Sequence, residues 1–229
     1  MSYALFTANR NYSSWSLRPW LLMRAAQIAF DDRLVPFTGP DNAEQFRTFA
    51  PNGKVPCLHH DGTVVWDSLA IIEYLAERHP GVWPTDPVAR AWARCAAAEM
   101  HSGFSVLRNI CPMSVGVRAD LIAIPTALQA DIDRMSELLS EGLDRFGGPW
   151  LAGVEFSAVD AFFAPVAFRV RSFGLVLSDA ANGWVGSVLG HPAMREWEAA
   201  ALAETWRDQA HEDEIAAAAT ITADYRQQA

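Results

Sequence analysis

The spacing of apolar residues along the chain changes near residue 80. Before it, short apolar runs of strand length alternate with segments of helical periodicity, in the order β-α-β, loop, β-β-α. After it, apolar residues recur every three to four positions and strand-like alternation nearly vanishes. Several prolines and a glycine between 80 and 87 mark the change. We therefore predict an α/β domain over 1–80, a linker at 81–87 and an all-helical domain over 88–229.

Local sequence signals predict two strands and two helices in the first half of the α/β domain. Pro36 places the second strand at a sheet edge, because proline has no N–H to donate to a ladder. Ser16 is the expected N-cap of the first helix. The predicted elements are a strand over 3–8, a helix over 17–28, a strand over 33–37 and a short helix around 44–49.

A β-hairpin is the clearest local signal in the chain. Two β-rich runs, 55–60 and 63–66, flank the dipeptide Asp61-Gly62, which favours the backbone of a tight hairpin turn. Pro56 is compatible with a strand only at its start, since it cannot donate to the ladder. The sequence therefore predicts two antiparallel strands joined at this turn.

A candidate anion site follows the hairpin. Asp67 or Ser68 can cap the apolar-periodic segment 69–79, which is predicted to be a helix. The free N–H groups and the dipole at a helix N-terminus attract a carboxylate. A strand that begins with proline beside such a helix start indicates a site for a small peptide-like anion.

The helical domain is predicted from repeated apolar spacing. One helix covers 88–107, with Ala91 and Cys95 assigned to its apolar face. Ser157 and Asp160 have capping-box spacing and are assigned a structural role at the start of another helix. The other predicted elements are a helix from 121 or 125 to 146, a helix over 161–173, a helix from 192 through 197, and a tail over 216–229 that is either helical or frayed.

Composition excludes several classes of protein. The chain is 51% hydrophobic, with nine Trp and twelve Phe, which is enough for sizeable cores and excludes disorder for most of it. Its formal charge of −9 argues against a nucleic-acid or anionic-membrane partner. No apolar run approaches the ~18 residues of a membrane span, and the N-terminus lacks a signal pattern.

Cysteine use indicates a reducing compartment. Cys57, Cys95 and Cys111 are odd in number and far apart, without a C-x-x-C pair. We therefore expect core thiols at these positions and a cytoplasmic protein. The adjacent His59 and His60 point to opposite faces of their strand, and no other histidine spacing fits a metal site. We expect no metal.

The order of these elements resembles that of a known family. A β-α-β…β-β-α domain is similar to the thioredoxin fold, and its extension by a helical-bundle domain resembles the cytosolic glutathione S-transferases. The resemblance covers nearly the whole chain. It is carried by 52–56 (Asn-Gly-Lys-Val-Pro), 67–75 (Asp-Ser-Leu-Ala-Ile-Ile-Glu-Tyr-Leu) and 157–160 (Ser-Ala-Val-Asp).

The resemblance implies a glutathione site and a dimer. In the family the proline matched by Pro56 is cis, and the backbone of the preceding residue, here Val55, binds the cysteinyl part of glutathione. Asp67 and Ser68 would hold the γ-glutamyl group, with Lys54 near the glycyl carboxylate or along the same groove. Glutathione is thus the expected co-substrate. A homodimer is expected because relatives pair each domain with the other domain of a second copy.

A second motif resembles one class of the family. The segment 12–18, Tyr-Ser-Ser-Trp-Ser-Leu-Arg, is similar to the Ser-Ser-Cys-Ser-x-Arg signature of the zeta class, which includes maleylacetoacetate isomerases. The matching positions are Ser13, Ser14, Ser16 and Arg18. Trp15 replaces the cysteine of the signature, and a bulky indole in place of a small thiol argues against zeta-type isomerisation.

The chemistry of glutathione explains why a serine hydroxyl is expected at the start of the first helix. An unperturbed thiol has a pKa of about 8.5, so only a few per cent is thiolate at neutral pH. A hydroxyl that donates to sulfur at a helix N-terminus stabilises the nucleophilic thiolate. Lowering the thiol pKa by about two units requires roughly 2.7 kcal/mol. Ser13 or Ser14 is the expected donor, since the motif favours Ser13 and proximity to the helix favours Ser14.

Alternatives remain open for several residues and for the chain. A structural role is favoured over a ligand-binding role for Arg18, His101, Arg108 and Met113. The expected activity is addition of glutathione to a small electrophile, with isomerisation or peroxide reduction as alternatives. A non-catalytic binding module of the same fold is a second hypothesis. A glutaredoxin-type disulfide reductase is disfavoured by the missing C-x-x-C.

Overall fold

The computed structural model of the protein describes residues 2–39 and 42–227. The strands of the first part of the chain are β1 (Tyr3–Thr7), β2 (Phe30–Leu34), β3 (Cys57–His60) and β4 (Thr63–Trp66). They form a four-stranded sheet in the order β2-β1-β3-β4. β1 and β2 are parallel, whereas the other neighbours are antiparallel.

The predicted hairpin is present between β3 and β4. Its turn residues Asp61 and Gly62 have φ values of +49° and +79°. This left-handed backbone carries little penalty for glycine and is the geometry that two-residue hairpins need. The register pairs Cys57 with Trp66 and His60 with Thr63.

The helices of this part link the sheet to the rest of the molecule. They are α1 (Ser14–Ala25), α2 (Asn42–Arg47) and α3 (Ser68–Ala76). Leu17, Leu21 and Met23 of α1 are fully buried. The helix is enclosed because it packs against β1 and α3 on one side and against the helical part of the chain on the other.

The start of α1 differs from the prediction. The helix begins at Ser14 rather than Leu17, and its N-cap is Ser13 rather than Ser16. Ser16 is not the cap because its hydroxyl lies inside the first turn and accepts the N–H of Ala8 (3.3 Å). Both candidate serines therefore lie at the helix start itself.

The second strand also differs from the prediction. It covers 30–34 rather than 33–37. The N–H of Val35 still donates to the carbonyl of Thr7 (2.9 Å), but Pro36 has no N–H with which to continue the ladder. The short helix predicted around 44–49 is α2, shifted by two residues.

The second part of the chain is helical, as predicted. Its helices are α4 (Pro87–Ser102), α5 (Ser105–Ile110), α6 (Thr126–Phe146), α7 (Ala158–Phe173), α8 (Asp179–Gly190), α9 (Pro192–Ala203) and α10 (Gln209–Ala218). α7 packs against α1, α4 and α8. It is the central helix of this part, because nearly all of its residues are buried.

The predicted capping residues of α7 have the structural role assigned to them. The Asp160 carboxylate accepts the backbone N–H groups of Ser157 (3.0 Å) and Leu151 (2.9 Å) and the indole N–H of Trp184 (3.0 Å). Burial raises the pKa of the Asp160 carboxyl to about 6. This side chain therefore anchors the start of α7 to two neighbouring segments.

The segment predicted as one helix over 88–107 is two helices. The break falls at Gly103, where a Cβ would lie 2.8 Å from the carbonyl oxygen of Glu99. Phe104 follows with a left-handed backbone, at a φ of +55°. A continuous helix cannot pass through that conformation, so the chain turns and starts α5.

The predicted apolar face of α4 is wrong. Ala91 and Cys95 are exposed, whereas Trp92 and Met100 are buried. Alanines occur on every side of this helix, so their spacing does not identify a face, and the two bulky side chains decide it. Cys95 is consequently not a core thiol, unlike Cys57 and Cys111, whose burial raises their pKa to about 11 and about 12.

A small sheet interrupts the helical part. β5 (Val117–Leu121) pairs antiparallel with β6 (Ala219–Asp224), so the tail is a strand at 219–224 and not the predicted helix or frayed end. Its β-branched residues Thr220, Ile221 and Thr222 favour a strand. The strand forms because it has a pairing partner about a hundred positions earlier in the chain, which local sequence does not reveal.

Candidate functional site

A cavity of about 650 Å³ lies between the loop before α1, the segment around 37–55 and the helical part of the chain. Its sheet-side wall includes Tyr12, Ser13, Ser14, Trp15, Phe37, Gly53, Lys54 and Val55. Its helical wall includes Arg108, Asn109, Pro112, Met113, Arg169, His211 and Glu214. Both candidate catalytic serines therefore face the same space as the residue before the predicted cis-proline.

The start of α1 presents hydrogen-bond donors to this cavity. The Ser13 hydroxyl donates to the Ser16 hydroxyl (2.7 Å). Within the described ranges, the Ser14 hydroxyl and the backbone N–H groups of Trp15 and Ser16 have no partner. Unpaired donors at the positive end of a helix dipole form a site suited to an anion.

A glycine allows the chain to bring Val55 to the cavity. Gly53 has a φ of +63°, and a Cβ there would lie 2.8 Å from the carbonyl oxygen of Ala43. The Val55–Pro56 peptide bond is cis. Over the part of the chain that the structure describes, the backbone N–H of Val55 has no hydrogen-bond partner. An extended peptide could pair with this exposed backbone.

The other two predicted binding residues do not line the cavity. Asp67 adopts a left-handed backbone, with a φ of +74°, and caps α3 by accepting the N–H of Leu69 (2.8 Å). Its second carboxylate oxygen lies 3.4 Å from Nε2 of His101. Ser68 is buried, and its hydroxyl has no partner among the described residues. His101 connects Asp67 to the cavity lining, because its ring also packs against that of Trp15.

Arg18 is fully buried behind the cavity. Its guanidinium stacks on the rings of Trp15 (4.0 Å) and Phe162 (4.7 Å). None of its side-chain nitrogens has a hydrogen-bond partner in the described residues. Burial, with the nearby guanidinium of Arg169, holds its pKa well below the usual range. Arg18 forms no salt bridge within the described residues, and its cationic group is held by cation–π contacts with these two rings.

The helical wall carries two further guanidinium groups. Arg108 and Arg169 line the cavity, and Arg108 lies over the ring of Trp15 (5.3 Å). Arg169 donates through Nε to the carbonyl of Cys111 (2.8 Å), while its Nη1 is buried without a partner among described residues. Burial lowers the pKa of Arg169 to about 10, so this group remains cationic at neutral pH, and burial also lowers the pKa of Arg108.

The C-terminal helix contributes the remaining side of the cavity. His211 and Glu214 of α10 line it, and the His211 ring stacks on Tyr12 (4.9 Å) and Phe37 (5.0 Å). The Tyr12 hydroxyl donates to Glu212 (2.6 Å). Burial and this hydrogen bond raise the pKa of Tyr12.

Four of the lining residues are not identifiable from the sequence motifs alone: Tyr12, Arg169, His211 and Glu214. Arg169 had a signal, because a charged side chain interrupts an otherwise apolar buried helix. The residues of α10 had none, since their place at the cavity depends on how the end of the chain folds back. Arg108 and Met113, for which a structural role was favoured, line the cavity, whereas His101 contacts Asp67.

Two kinds of feature are absent from residues 2–39 and 42–227. No cluster of three or more His, Cys, Asp or Glu side chains there has a geometry suited to a metal ion. No helix there is both long enough and apolar enough to cross a bilayer.

Comparison with known proteins decides the family. A model of the glutathione S-transferase N-terminal domain matches residues 12–78, and a model of the glutathione S-transferase C-terminal domain matches residues 117–200. Together they cover more than half of the chain. It belongs to the glutathione S-transferase family. The family and the relatives described next make this protein a glutathione-dependent enzyme, a transferase or an isomerase.

The similar proteins confirm the zeta-like resemblance and the fold. The chain is 29% identical over 182 residues to the maleylacetoacetate isomerase of Rattus norvegicus, covering 76% of this chain and 81% of that protein. A glutathione transferase homolog from Burkholderia gl BGR1, solved with bound glutathione, superposes with a TM-score of 0.65 at 20% identity over 86% of this chain and 96% of that one. The maleylacetoacetate isomerase from Anaeromyxobacter dehalogenans 2CP-1 superposes at 0.62, with 21% identity, 86% of this chain and 90% of that one covered.

Proposed function

We propose that the protein binds glutathione in this cavity, ionises its thiol with a serine hydroxyl and adds the thiolate to a small electrophile. One observation carries the proposal: Ser13 and Ser14, at the N-terminus of α1, line the same cavity as Val55, whose backbone N–H has no partner among the described residues. The thiol proton leaves to water and the sulfur lone pair forms the new S–C bond. The electrophile then expels an anionic leaving group or takes a proton from water.

Ser14 is the donor that the hydrogen bonds favour. Its hydroxyl is uncommitted in the described structure, whereas Ser13 would have to release its bond to Ser16. A hydrogen bond to a charged group contributes about 1.5–3 kcal/mol. A helix N-terminus adds about 0.3–1 kcal/mol for a nearby anion. Together these reach the roughly 2.7 kcal/mol that a two-unit drop in thiol pKa requires. Ser13 is the alternative that the motif supports.

Four residues are proposed to hold the tripeptide. The N–H and C=O of Val55 would pair with it as an added strand, and Lys54, which is exposed at the cavity, would attract the glycyl carboxylate. Asp67 supplies an acceptor for the ammonium group. The helix start at Ser68, with an unpaired buried hydroxyl within the described chain, would receive the γ-glutamyl carboxylate. The last two do not line the cavity, so contact with them requires the ligand to extend beyond it.

A cis–trans isomerase is the second candidate, and one observation favours it. Arg108 and Arg169 give the helical wall two cationic groups, although the chain carries a net charge of −9. Guanidinium groups bind carboxylates well, and relatives of this protein are named as isomerases of maleylacetoacetate, an anion at neutral pH. Reversible addition of a thiolate to a double bond allows rotation. Trp15, in the place of the motif cysteine, weighs against this alternative.

Direct binding and turnover test the proposal. The protein should bind immobilised glutathione, gain thermal stability in its presence and turn over a panel of electrophiles that includes maleylacetone and organic peroxides. Binding without turnover of any of them would instead support the non-catalytic binding module. Absence of both binding and thermal stabilisation would overturn the glutathione assignment.

We also propose a cytoplasmic homodimer. Burial of two of its three free thiols is compatible with a reducing compartment. Trp66 on β4 is 45% exposed at a sheet edge, where a second copy could cover it. Sedimentation should give twice the chain mass of 25.2 kDa, and a 25.2 kDa species would contradict the dimer.

A further inference from the structure

The loop that carries the catalytic serines is held by the far end of the chain. The Glu204 carboxylate accepts the N–H groups of Arg10 (2.7 Å) and Asn11 (3.3 Å). The indole N–H of Trp197 donates to the carbonyl of Arg10 (2.9 Å). The N–H of Gly116 donates to the side chain of Asn11 (3.2 Å). The backbone up to position 11 is therefore fixed by α9 and the segment before β5.

Tyr12, the residue before the two serines, is held by a different group of contacts. Its hydroxyl donates to Glu212 Oε1 (2.6 Å) and accepts from Arg226 Nη1 (3.1 Å). Arg226 also donates through Nη2 to Glu212 Oε2 (2.9 Å). The Arg226 side chain is only 3% exposed. These three side chains form a buried charged cluster, which we call the tyrosine clamp.

The clamp is anchored through the small second sheet. Arg226 donates through Nε to Asp224 (2.9 Å), the last residue of β6. The N–H of Tyr225 donates to the carbonyl of Gly116 (2.9 Å). Gly116 has no space for a side chain, since a Cβ there would overlap Cγ of Arg226. Pairing of β6 with β5 thus delivers Arg226 to Tyr12.

The clamp lies next to the catalytic groups. The N–H groups of Tyr12 (3.1 Å) and Ser13 (2.9 Å) both donate to the carbonyl of Asn9, and the N–H of Ser14 donates to the carbonyl of Tyr12 (2.8 Å). The serines therefore share one tight turn with Tyr12, and a shift of Tyr12 would displace them. Tyr12 is not itself free to donate to a sulfur, because its one hydroxyl proton is already donated in the hydrogen bond to Glu212.

We propose that Glu212 and Arg226 are positioning residues for the thiolate: by clamping the Tyr12 hydroxyl they set the position of Ser13 and Ser14 in the cavity. This inference rests on the proposed function. It adds that one residue on α10 and one just after β6 control the efficiency of the reaction without touching the sulfur. A misplacement of about 1 Å is enough to reduce a rate about a hundredfold.

The test compares Glu212→Gln with the native protein and with a matched control. Asp213→Asn removes the same charge from the next position of α10, where the side chain is exposed and, among the described residues, accepts a hydrogen bond from Gln209 alone. For Glu212→Gln we expect kcat to fall about 10- to 100-fold, with KM for glutathione within about threefold, because positioning acts on the transition state. The pH midpoint of kcat/KM should rise, since the thiolate is less well stabilised. Asp213→Asn should change neither.

A second variant and a second measurement keep the test decisive. If Glu212→Gln does not fold, Tyr12→Phe removes only the hydroxyl and should give the same split between kcat and KM. Hydrogen exchange at the amides of 12–14 should accelerate in both variants, and this measurement needs no glutathione. Unchanged kcat and pH midpoint in a folded variant would overturn the inference, with or without a lower melting temperature. Failure of the native protein to bind or use glutathione would instead overturn the proposed function.

Discussion

The two walls of the cavity present their polar groups in different ways. The sheet-side wall offers short hydroxyls at Ser13 and Ser14 and the main chain of Val55, all set by backbone geometry. The helical wall offers the long side chains of Arg108 and Arg169. Backbone groups cannot change with a single substitution, so they suit a constant ligand such as glutathione. Long side chains can be exchanged without altering the fold, so the helical wall is where the second substrate would be selected.

The two walls also differ in how the chain assembles them. The sheet-side wall comes mostly from segments within the first 55 residues. The helical wall joins α5, α7 and α10, which are far apart in the chain. The sheet-side wall should therefore tolerate changes in the helical part better than the helical wall does. Four predictions follow that difference, from the largest expected effect to the smallest.

The largest effect is expected at Asp160, which anchors the helix that carries Arg169. Burial raises the pKa of this carboxyl from 3.8 to about 6. The folded state therefore holds the proton more tightly, so the stabilising contribution is complete below about pH 4 and is lost as pH rises through about 6. The loss amounts to about 3 kcal/mol for a shift of about two units.

Asp160→Asn removes this titration. The difference in free energy of unfolding between the native protein and the variant should therefore shrink by about 3 kcal/mol between about pH 4 and about pH 7. Denaturant unfolding across that range measures it. A difference that stays constant with pH would show that Asp160 does not titrate in this way.

The next effect is expected at the serines of the sheet-side wall. Ser14→Ala should lower kcat about 100-fold, the scale for removal of one donor to a developing anion. Its KM for glutathione should change little, because Val55 and its neighbours still hold the tripeptide. Ser13→Ala is the matched control, and the larger loss identifies the donor. Full activity in both variants would contradict ionisation of the thiol by a serine hydroxyl.

A smaller and selective effect is expected at the helical wall. Arg169→Met should lower kcat/KM for a carboxylate-bearing electrophile about 10- to 30-fold, the scale of one charged hydrogen bond. A neutral electrophile of the same shape should be little affected. Arg171→Met is the control, since Arg171 lies on the same helix but pairs with Glu198 (2.6 Å) outside the cavity. An equal loss of kcat/KM for both electrophiles would mean that Arg169 does not recognise the negative charge of the substrate.

The smallest effect is expected at Lys54. It is exposed, so its attraction for the glycyl carboxylate is screened by water and salt. Lys54→Met should raise KM for glutathione about two- to fivefold and leave kcat unchanged. The difference in KM between the native protein and the variant should disappear in high salt. Initial-rate measurements at two salt concentrations decide it, and a fall in kcat would show that Lys54 acts on the reaction itself.

Much of the sheet-side wall was predictable because its signals are local. The turn at Asp61-Gly62, the strand-leading Pro56 and the serines before an apolar helix are each visible within a few residues. The start of α1 was missed because the Ser16 hydroxyl accepts the N–H of Ala8 within the first turn and does not cap the helix. The face of α4 was missed because alanine is compatible with either a buried or an exposed position.

The helical wall and the tyrosine clamp were not predictable in the same way. Arg169 is recognisable only as an unusual charge in a buried helix. Glu212 and Arg226 carry no pattern that relates them to Tyr12, about 200 positions earlier. Such contacts depend on the pairing of β6 with β5. The hydrophobic periodicity of a single strand does not show which distant strand it pairs with.

By itself, the sequence determined the order of the elements, the hairpin, the capping of α7 and the family to which the chain belongs. These follow from periodicity, turn chemistry and short motifs, all of which act between residues close in the chain. Only the tertiary structure decided that Arg108, Arg169 and α10 meet the serines across one cavity and that Arg226 holds Tyr12. Those contacts exist because burial of apolar helix faces brings distant segments together. Which polar side chains then meet is a consequence of that packing.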